Sequence, residues 1–202
     1  MFRIAIAAFT LAFSLTAVAQ VKVGLLVSAT GPTTAIGTPQ KNTGDILPRK
    51  VGDLTIEYVQ YEDGGDTTRG VQNAKKLIQE QNVDAIIGPS TTPIALAMLD
   101  FLGDSKVSLL ATIGSSNVVE PMDAKRRWAF KMTQNDELIG SALVKHMVKN
   151  GVKTLGFIGF KDPYGENWYK VFSALASAGR RCCRRSRCAT RATRVRSTRR
   201  TG

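Results

Sequence analysis

From Val21 onward, short apolar runs alternate with segments whose apolar residues recur every three or four positions. "VKVGLLVS" (21–28) reads as a buried strand, and Leu54, Ile56 and Tyr58 alternate through a second. Residues 67–81 then read as a helix, with Val71, Ala74, Leu77 and Ile78 on one face and Lys75, Lys76 and Glu80 away from it. "VDAIIGP" is a third strand, stopped by Gly88-Pro89. "TPIALAMLDFL" is a helix with Pro93 in its first turn, where a missing N–H costs nothing. "KVSLLATIG" and "RWAFKM" follow as strands. Residues 136–150 read as a helix with Leu138, Ala142, Leu143 and Met147 inward and Gly151 as its stop. "TLGFIGF" is another strand. Residues 166–178 form a last helix, with Gly179 in the cap position. Only the first crossover, "GTPQKNTGDILPRKVGD", is poor in helix formers, and its helix is expected to be short, over 39–47. This alternation predicts βαβ units around a parallel sheet.

Charge and cysteine alter that picture only at the ends. The chain has 28 Lys and Arg against 16 Asp and Glu, a formal net charge of +12. Ten of those are Arg residues after Gly179, where no acid occurs, so the remaining 18 nearly balance the 16 acids. All three cysteines (Cys182, Cys183, Cys188) lie in the same tail, at spacings that suit neither a disulfide framework nor a metal site. At the other end, Arg3 precedes an apolar stretch over 4–15, and Ala17-Val18-Ala19 is an A-x-A cleavage signal. The apolar stretch is shorter than the roughly 20 residues of a membrane span. A signal peptide over 1–19, a periplasmic or secreted protein starting at Gln20, and no later membrane insertion are expected.

In an open parallel sheet, ligands bind beyond the carboxyl ends of the strands. The loops there, "SATGPTTAIG", "GPSTTP" and "TIGSSN", are rich in glycine and hydroxyl residues. Ser90, Thr91 and Thr92 precede a helix. They either cap it or, with its free N–H groups, offer donors to an anion; a carboxylate suits such donors. No phosphate-cradling GxxxxGK[ST] loop is present. No His or Cys follows a strand, and no carboxylate pair is placed for acid–base work, so no catalytic residue, metal or cofactor is expected. His146 reads as a helix-face residue, Trp128 and Trp168 as core, and "EDGGDTT" as a turn with Asp66 or Thr67 capping the next helix.

The runs "VKVGLLVSATGPTTAIGTPQKNT", "YEDGGDTTRGVQNAKKLIQEQNVDAIIGPSTTP", "VEPMDAKRRWAFKMTQND" and "GVKTLGFIGFKDPYGENWY" resemble the extracytoplasmic branched-chain amino-acid-binding proteins of ABC transporters, over roughly 21–179. The resemblance implies the type I periplasmic binding fold, in which two α/β lobes close on a ligand. It implies an amino acid or small carboxylate as ligand and permease subunits of the transporter as partners; a monomer is expected, and the signal peptide, which sends the protein away from nucleic acid, argues against a nucleic-acid partner. Its carboxylate-binding positions fall on Thr92, the backbone of Ile113, and Ser115; the tyrosine covering the ligand from the second lobe falls on Tyr164; the aromatic position of the first loop is Ile36 here.

The chain departs from that family at Gly179. The expected organisation is a first lobe over 20–134 lacking its return, the start of an incomplete second lobe over 135–179, and a disordered Arg-rich tail over 180–202. The tail's residue types are those of GC-rich codons read out of frame, so a frameshift at or just after Gly179 is expected. With it we expect exposed apolar surface and loss of micromolar binding. Two other readings stand beside transport. One is a ligand-sensing protein on the same fold. The other is anionic-surface or nucleic-acid binding through ten Arg, against which the tail offers no aromatic residue for stacking.

Overall fold

The computed structural model describes residues 20–185 and 196–197. The signal segment therefore lies outside the described residues. Six strands form the main sheet: β1 (Gln20–Val27), β2 (Lys50–Val51), β3 (Leu54–Glu62), β4 (Ala85–Ile87), β5 (Ser108–Ala111) and β6 (Ala129–Lys131). Their order is β2-β3-β1-β4-β5-β6. All pairs are parallel except β2 with β3. Sequence order reverses at β1, so the loops after β1 and β4 diverge and leave a crevice at their carboxyl ends.

The helices α1 (Thr34–Ile46), α2 (Thr67–Gln79) and α3 (Thr92–Ser105) cover the sheet. One hydrophobic core joins Leu26, Ile86, Leu109 and Ala111 of the sheet to Ala74 and Leu77 of α2 and Ile94, Met98 and Leu102 of α3. Helix α1 packs on the other face, where Gly44 abuts Leu25. This helix begins five residues before the expected 39–47 and contains Pro39. Its buried residues are Gly37 and Gly44. A Cβ on Gly37 would lie 2.0 Å from the Ser28 carbonyl oxygen. The inward face is thus made of glycine, because the backbone of α1 lies against the backbone at the end of β1. A search for an apolar stripe misses such a helix.

The second α/β unit comprises α4 (Asp136–Lys149), β7 (Gly156–Phe157) and α5 (Pro163–Arg185), with β8 (Arg196–Ser197) paired parallel to β7. Three expectations are corrected here. The face of α4 that packs is Asp136, Gly140 and Val144, and Gly140 approaches Leu175 and Val171 of α5. Leu138, Ala142 and Leu143, expected inward, are exposed, Leu138 by 64%. Strand "TLGFIGF" shrinks to two residues, and Ile158 beyond it is 97% exposed. A strand is held by its neighbours, and β7 pairs with β8 at two positions only. Finally, α5 runs through Gly179 to Arg185 instead of capping there. One interior glycine costs a helix only about 1 kcal/mol, and Arg is a good helix former. The tail beyond Arg185, apart from β8, lies outside the described residues.

Among the described residues, no helix is long and apolar enough to cross a membrane.

Candidate functional site

The crevice at the carboxyl ends of β1, β4 and β5 holds a cavity of about 290 Å3. Pro32, Thr33 and Ile36 wall it from the loop after β1. Residues 90–93 and 112–114 form its floor, and Phe160 and Asp162 from the loop before α5, with Tyr164 from its first turn, face them.

A hydrogen-bond frame holds the first-lobe loops. Ser90 Oγ accepts from the Ser28 N–H (3.0 Å) and donates to Gln40 Oε1. Gln40 Nε2 donates to Thr112 Oγ1 (3.2 Å), which donates to the Pro89 carbonyl (3.0 Å). Gln40 thereby fastens α1 to both floor loops. The first loop is tied in the same way: Thr30 donates through N–H and hydroxyl to Glu62 Oε1, which also accepts from the Gly64 N–H. Burial works to raise the Glu62 pKa, but these bonds, with the charge of Arg69, outweigh it and hold the carboxyl below its ordinary value. Asp63 is fully buried, accepts from Ser28 Oγ and the Gly65 N–H, and is pushed up by burial. Asp66 caps α2 by accepting from the Arg69 N–H (2.7 Å), so "EDGGDTT" is the turn and cap expected.

Inside this frame some hydroxyls are left over. Thr91 is the N-cap of α3, yet its side chain makes no capping bond. Thr92 is 2% exposed. Among the described residues, the buried hydroxyls of Thr33, Thr91 and Thr92 have no hydrogen-bond partner, and all three residues line the cavity. An unpaired buried hydroxyl is costly, so three around one cavity, Thr33 from the wall and Thr91 and Thr92 from the floor, is an arrangement suited to receiving an acceptor from outside. Helix α3 adds its free N–H groups and positive end there.

Of the residues expected at the site, Thr92, Ile113 and Tyr164 do line this cavity, as does Ile36. The Ile113 carbonyl accepts from Thr133 Oγ1, which fixes the loop after β5 to the segment after β6. Ser115 does not line it. The residue is wholly buried, and its Oγ has no partner among the described residues. Burial, together with the negative charges of Asp136 and Asp162, pushes the Tyr164 phenol up, so it stays a neutral hydroxyl at ordinary pH. Tyr164 also meets Trp168 edge to face, with centroids 6.5 Å apart. The sequence reading missed Phe160 and Asp162, although both lie in "GFKDPYGEN", beside the tyrosine it selected. Gln40 was out of reach, because its partners come from loops 50 and 72 residues away.

A doubly wound sheet with a hydroxyl-lined crevice, faced by the helix of a second α/β unit, is the type I periplasmic-binding architecture. The family model described as "Periplasmic binding protein" matches residues 20–180, and the chain belongs to that family. It is 26% identical over 179 residues to the Leu/Ile/Val-binding protein BraC3 of Rhizobium johnstonii, covering 84% of this chain and 47% of that protein. Among solved structures, an extracellular ligand-binding receptor from Rhodopseudomonas palustris HaA2 aligns with a TM-score of 0.75 and 39% identity, over 80% of this chain and 45% of the receptor. A solute-binding protein from R. palustris, solved with 4-hydroxybenzoate, shares the fold with a TM-score of 0.69 at 22% identity, over 79% of this chain and 44% of its own. The chain spans about half the length of the curated relatives it matches.

Proposed function

We propose that the chain is an extracytoplasmic solute-binding component of an ABC transporter, working with permease subunits outside the cytoplasmic membrane. Its cleft holds an amino acid or similar small carboxylate between two lobes. The observation that carries this reading is the row of unpaired buried hydroxyls at the amino end of α3, Thr91 and Thr92, in a cavity that Tyr164 faces. Donors of this kind hold a carboxylate without acting on it. The names of the relatives, a Leu/Ile/Val-binding protein among them, support the ligand class. Ser115, wholly buried and outside the cavity lining, is a supporting residue in this reading rather than a contact.

Affinity in this chain is weaker than micromolar. Among the described residues, the second wall consists of Phe160, Asp162 and Tyr164, and Phe160 is 59% exposed. A ligand covered by so few groups forgoes most of the burial on which small-molecule sites depend. Titration calorimetry with leucine, isoleucine, valine and 4-hydroxybenzoate at millimolar concentration tests both statements. Weak saturable heat is expected from at least one of them. Micromolar affinity would overturn the impairment, and absence of saturable heat from all four would overturn the binding role.

A further inference from the structure

We propose that Gln40 is a positioning residue for ligand binding: it braces the two floor loops of the cleft and so sets where Thr91, Thr92 and the Ile113 backbone stand around the ligand. This rests on the carboxylate-binding reading above. The brace starts from the glycine face of α1. Gly37, Gln40 and Gly44 stand at i, i+3 and i+7, on one side of that helix. Gly37 and Gly44 are buried, and they bring the backbone of α1 close to the end of β1. A side chain between them reaches the loops beyond β4 and β5.

Gln40 meets the two loops with opposite chemistry. Its Oε1 accepts from Ser90 Oγ, which itself accepts from the Ser28 N–H at 3.0 Å. Its Nε2 donates to Thr112 Oγ1 at 3.2 Å, and that hydroxyl donates to the Pro89 carbonyl at 3.0 Å. Pro89 precedes Ser90 in the chain, so the four groups close a ring, and Gln40 is its member from α1. A hydroxyl has a single proton to give. Those of Ser90 and Thr112 are spent within the ring, whereas Thr91 and Thr92, next in the chain, keep theirs for the ligand. Without Gln40, Ser90 would hold a free donor and Thr112 a free acceptor beside the carboxylate. Packing offers no substitute for the brace. An apolar cavity of about 180 Å3 lies between α1 and the sheet, lined by Leu25, Leu47, Ile87 and Gly88 together with Gln40 and Thr112. Thr112 lines this cavity and the ligand cavity alike. At Thr112 the floor therefore rests on hydrogen bonds, not on close-packed side chains.

The test reads ligand affinity in Gln40→Glu and Gln40→Met, from amide shifts of the 15N-labelled chain at pH 7 and pH 4.5. The probe is whichever of leucine, isoleucine, valine and 4-hydroxybenzoate binds wild type most tightly. Each affinity is divided by that of wild type at the same pH, which cancels the titration of the ligand and of the chain's own carboxyls. A protonated Glu accepts at one oxygen and donates at the other, as Gln does; an ionised one only accepts. Glu titrates ordinarily at about 4.3, and burial raises that value; position 40 is half-buried. Gln40→Glu should lose about tenfold in affinity at pH 7, the scale of one hydrogen bond, and recover to within about threefold of wild type at pH 4.5. Gln40→Met keeps the length of the side chain without its polar ends and should lose about tenfold at both pH values. Thr112→Val breaks the same ring from the other side, again without adding charge, and should behave as Gln40→Met does. Wild-type affinity in either neutral variant, or a loss in Gln40→Glu that persists at pH 4.5, overturns the role of Gln40 and leaves carboxylate binding intact. Absence of shifts in wild type with all four ligands overturns the carboxylate reading itself and the inference with it.

Discussion

Replacing Thr92 by valine should make the unliganded protein more stable and its ligand weaker. Thr92 is 2% exposed, and its Oγ1 has no hydrogen-bond partner among the described residues. A buried hydroxyl left unpaired costs about 1–3 kcal/mol, whereas valine of the same shape carries no such penalty. Thr and Val have similar helix propensities, so the start of α3 is not at stake. With about 1 kcal/mol gained, the thermal midpoint of a chain this size should rise by about 2–4 °C. The ligand would lose one hydrogen bond to a charged group, worth about 1.5–3 kcal/mol, and affinity should fall about 10- to 100-fold. Ser90, two residues earlier, supplies the contrast. Its hydroxyl accepts from the Ser28 N–H and donates to Gln40, so Ser90→Ala strands a buried donor and should lower the midpoint. Differential scanning calorimetry of the two variants beside wild type reads both signs. A midpoint several degrees lower in Thr92→Val would refute the reasoning, because it would show that the hydroxyl serves the fold.

Gly37→Ala should destabilise by about 2–3 kcal/mol, the scale of core overpacking, since its Cβ would meet the Ser28 carbonyl group at 2.0–2.2 Å. Gly156→Ala, where a Cβ meets nothing within 4 Å, should leave the denaturant midpoint unchanged, and equal midpoints for both variants would discredit the packing of α1. Asp63 and Asp136 are pushed up, by burial first, from the ordinary 3.8. The native state therefore binds more protons than the unfolded state above that value. The contribution of each group is fully present below 3.8 and is lost as pH rises through its folded pKa. Asp136→Asn, which keeps an acceptor for Asn167 Nδ2 (2.8 Å), should flatten that fall in urea titrations; a wild-type slope in the variant would exclude Asp136 as a source.

The order of elements was legible because the first lobe buries its helices in the usual way. Ala74 and Leu77 lie where their spacing puts them, in one core with Leu26 and Ile86. The reading failed where a small residue replaces the stripe. Gly37 and Gly44 carry α1 against the sheet, and Gly140 carries α4 against α5. In α4 the apolar spacing through Leu138 and Leu143 was real but points outward, because the packed face is Gly140 and Val144. The floor of the cleft could be foreseen from the rule that ligands sit beyond strand ends, which selected the loops of Thr92 and Ile113. Which hydroxyls are free could not. Ser90, Thr91 and Thr92 look alike in sequence, and only the folded partner Gln40 distinguishes the occupied one from the others. Ser115, one residue beyond Gly114, is wholly buried and does not line the cavity, which the spacing of "TIGSSN" does not reveal.

The central claim is that the crevice beyond β1, β4 and β5 receives a carboxylate at the amino end of α3. Its most direct test is a 1H–15N correlation spectrum of the folded chain recorded with and without millimolar leucine. The largest shifts should fall on the amides of Thr91, Thr92, Ile113 and Gly114, with smaller ones at Asp162 and Tyr164 across the cleft. A folded chain whose spectrum does not move, or whose shifts fall outside these loops, would contradict the account.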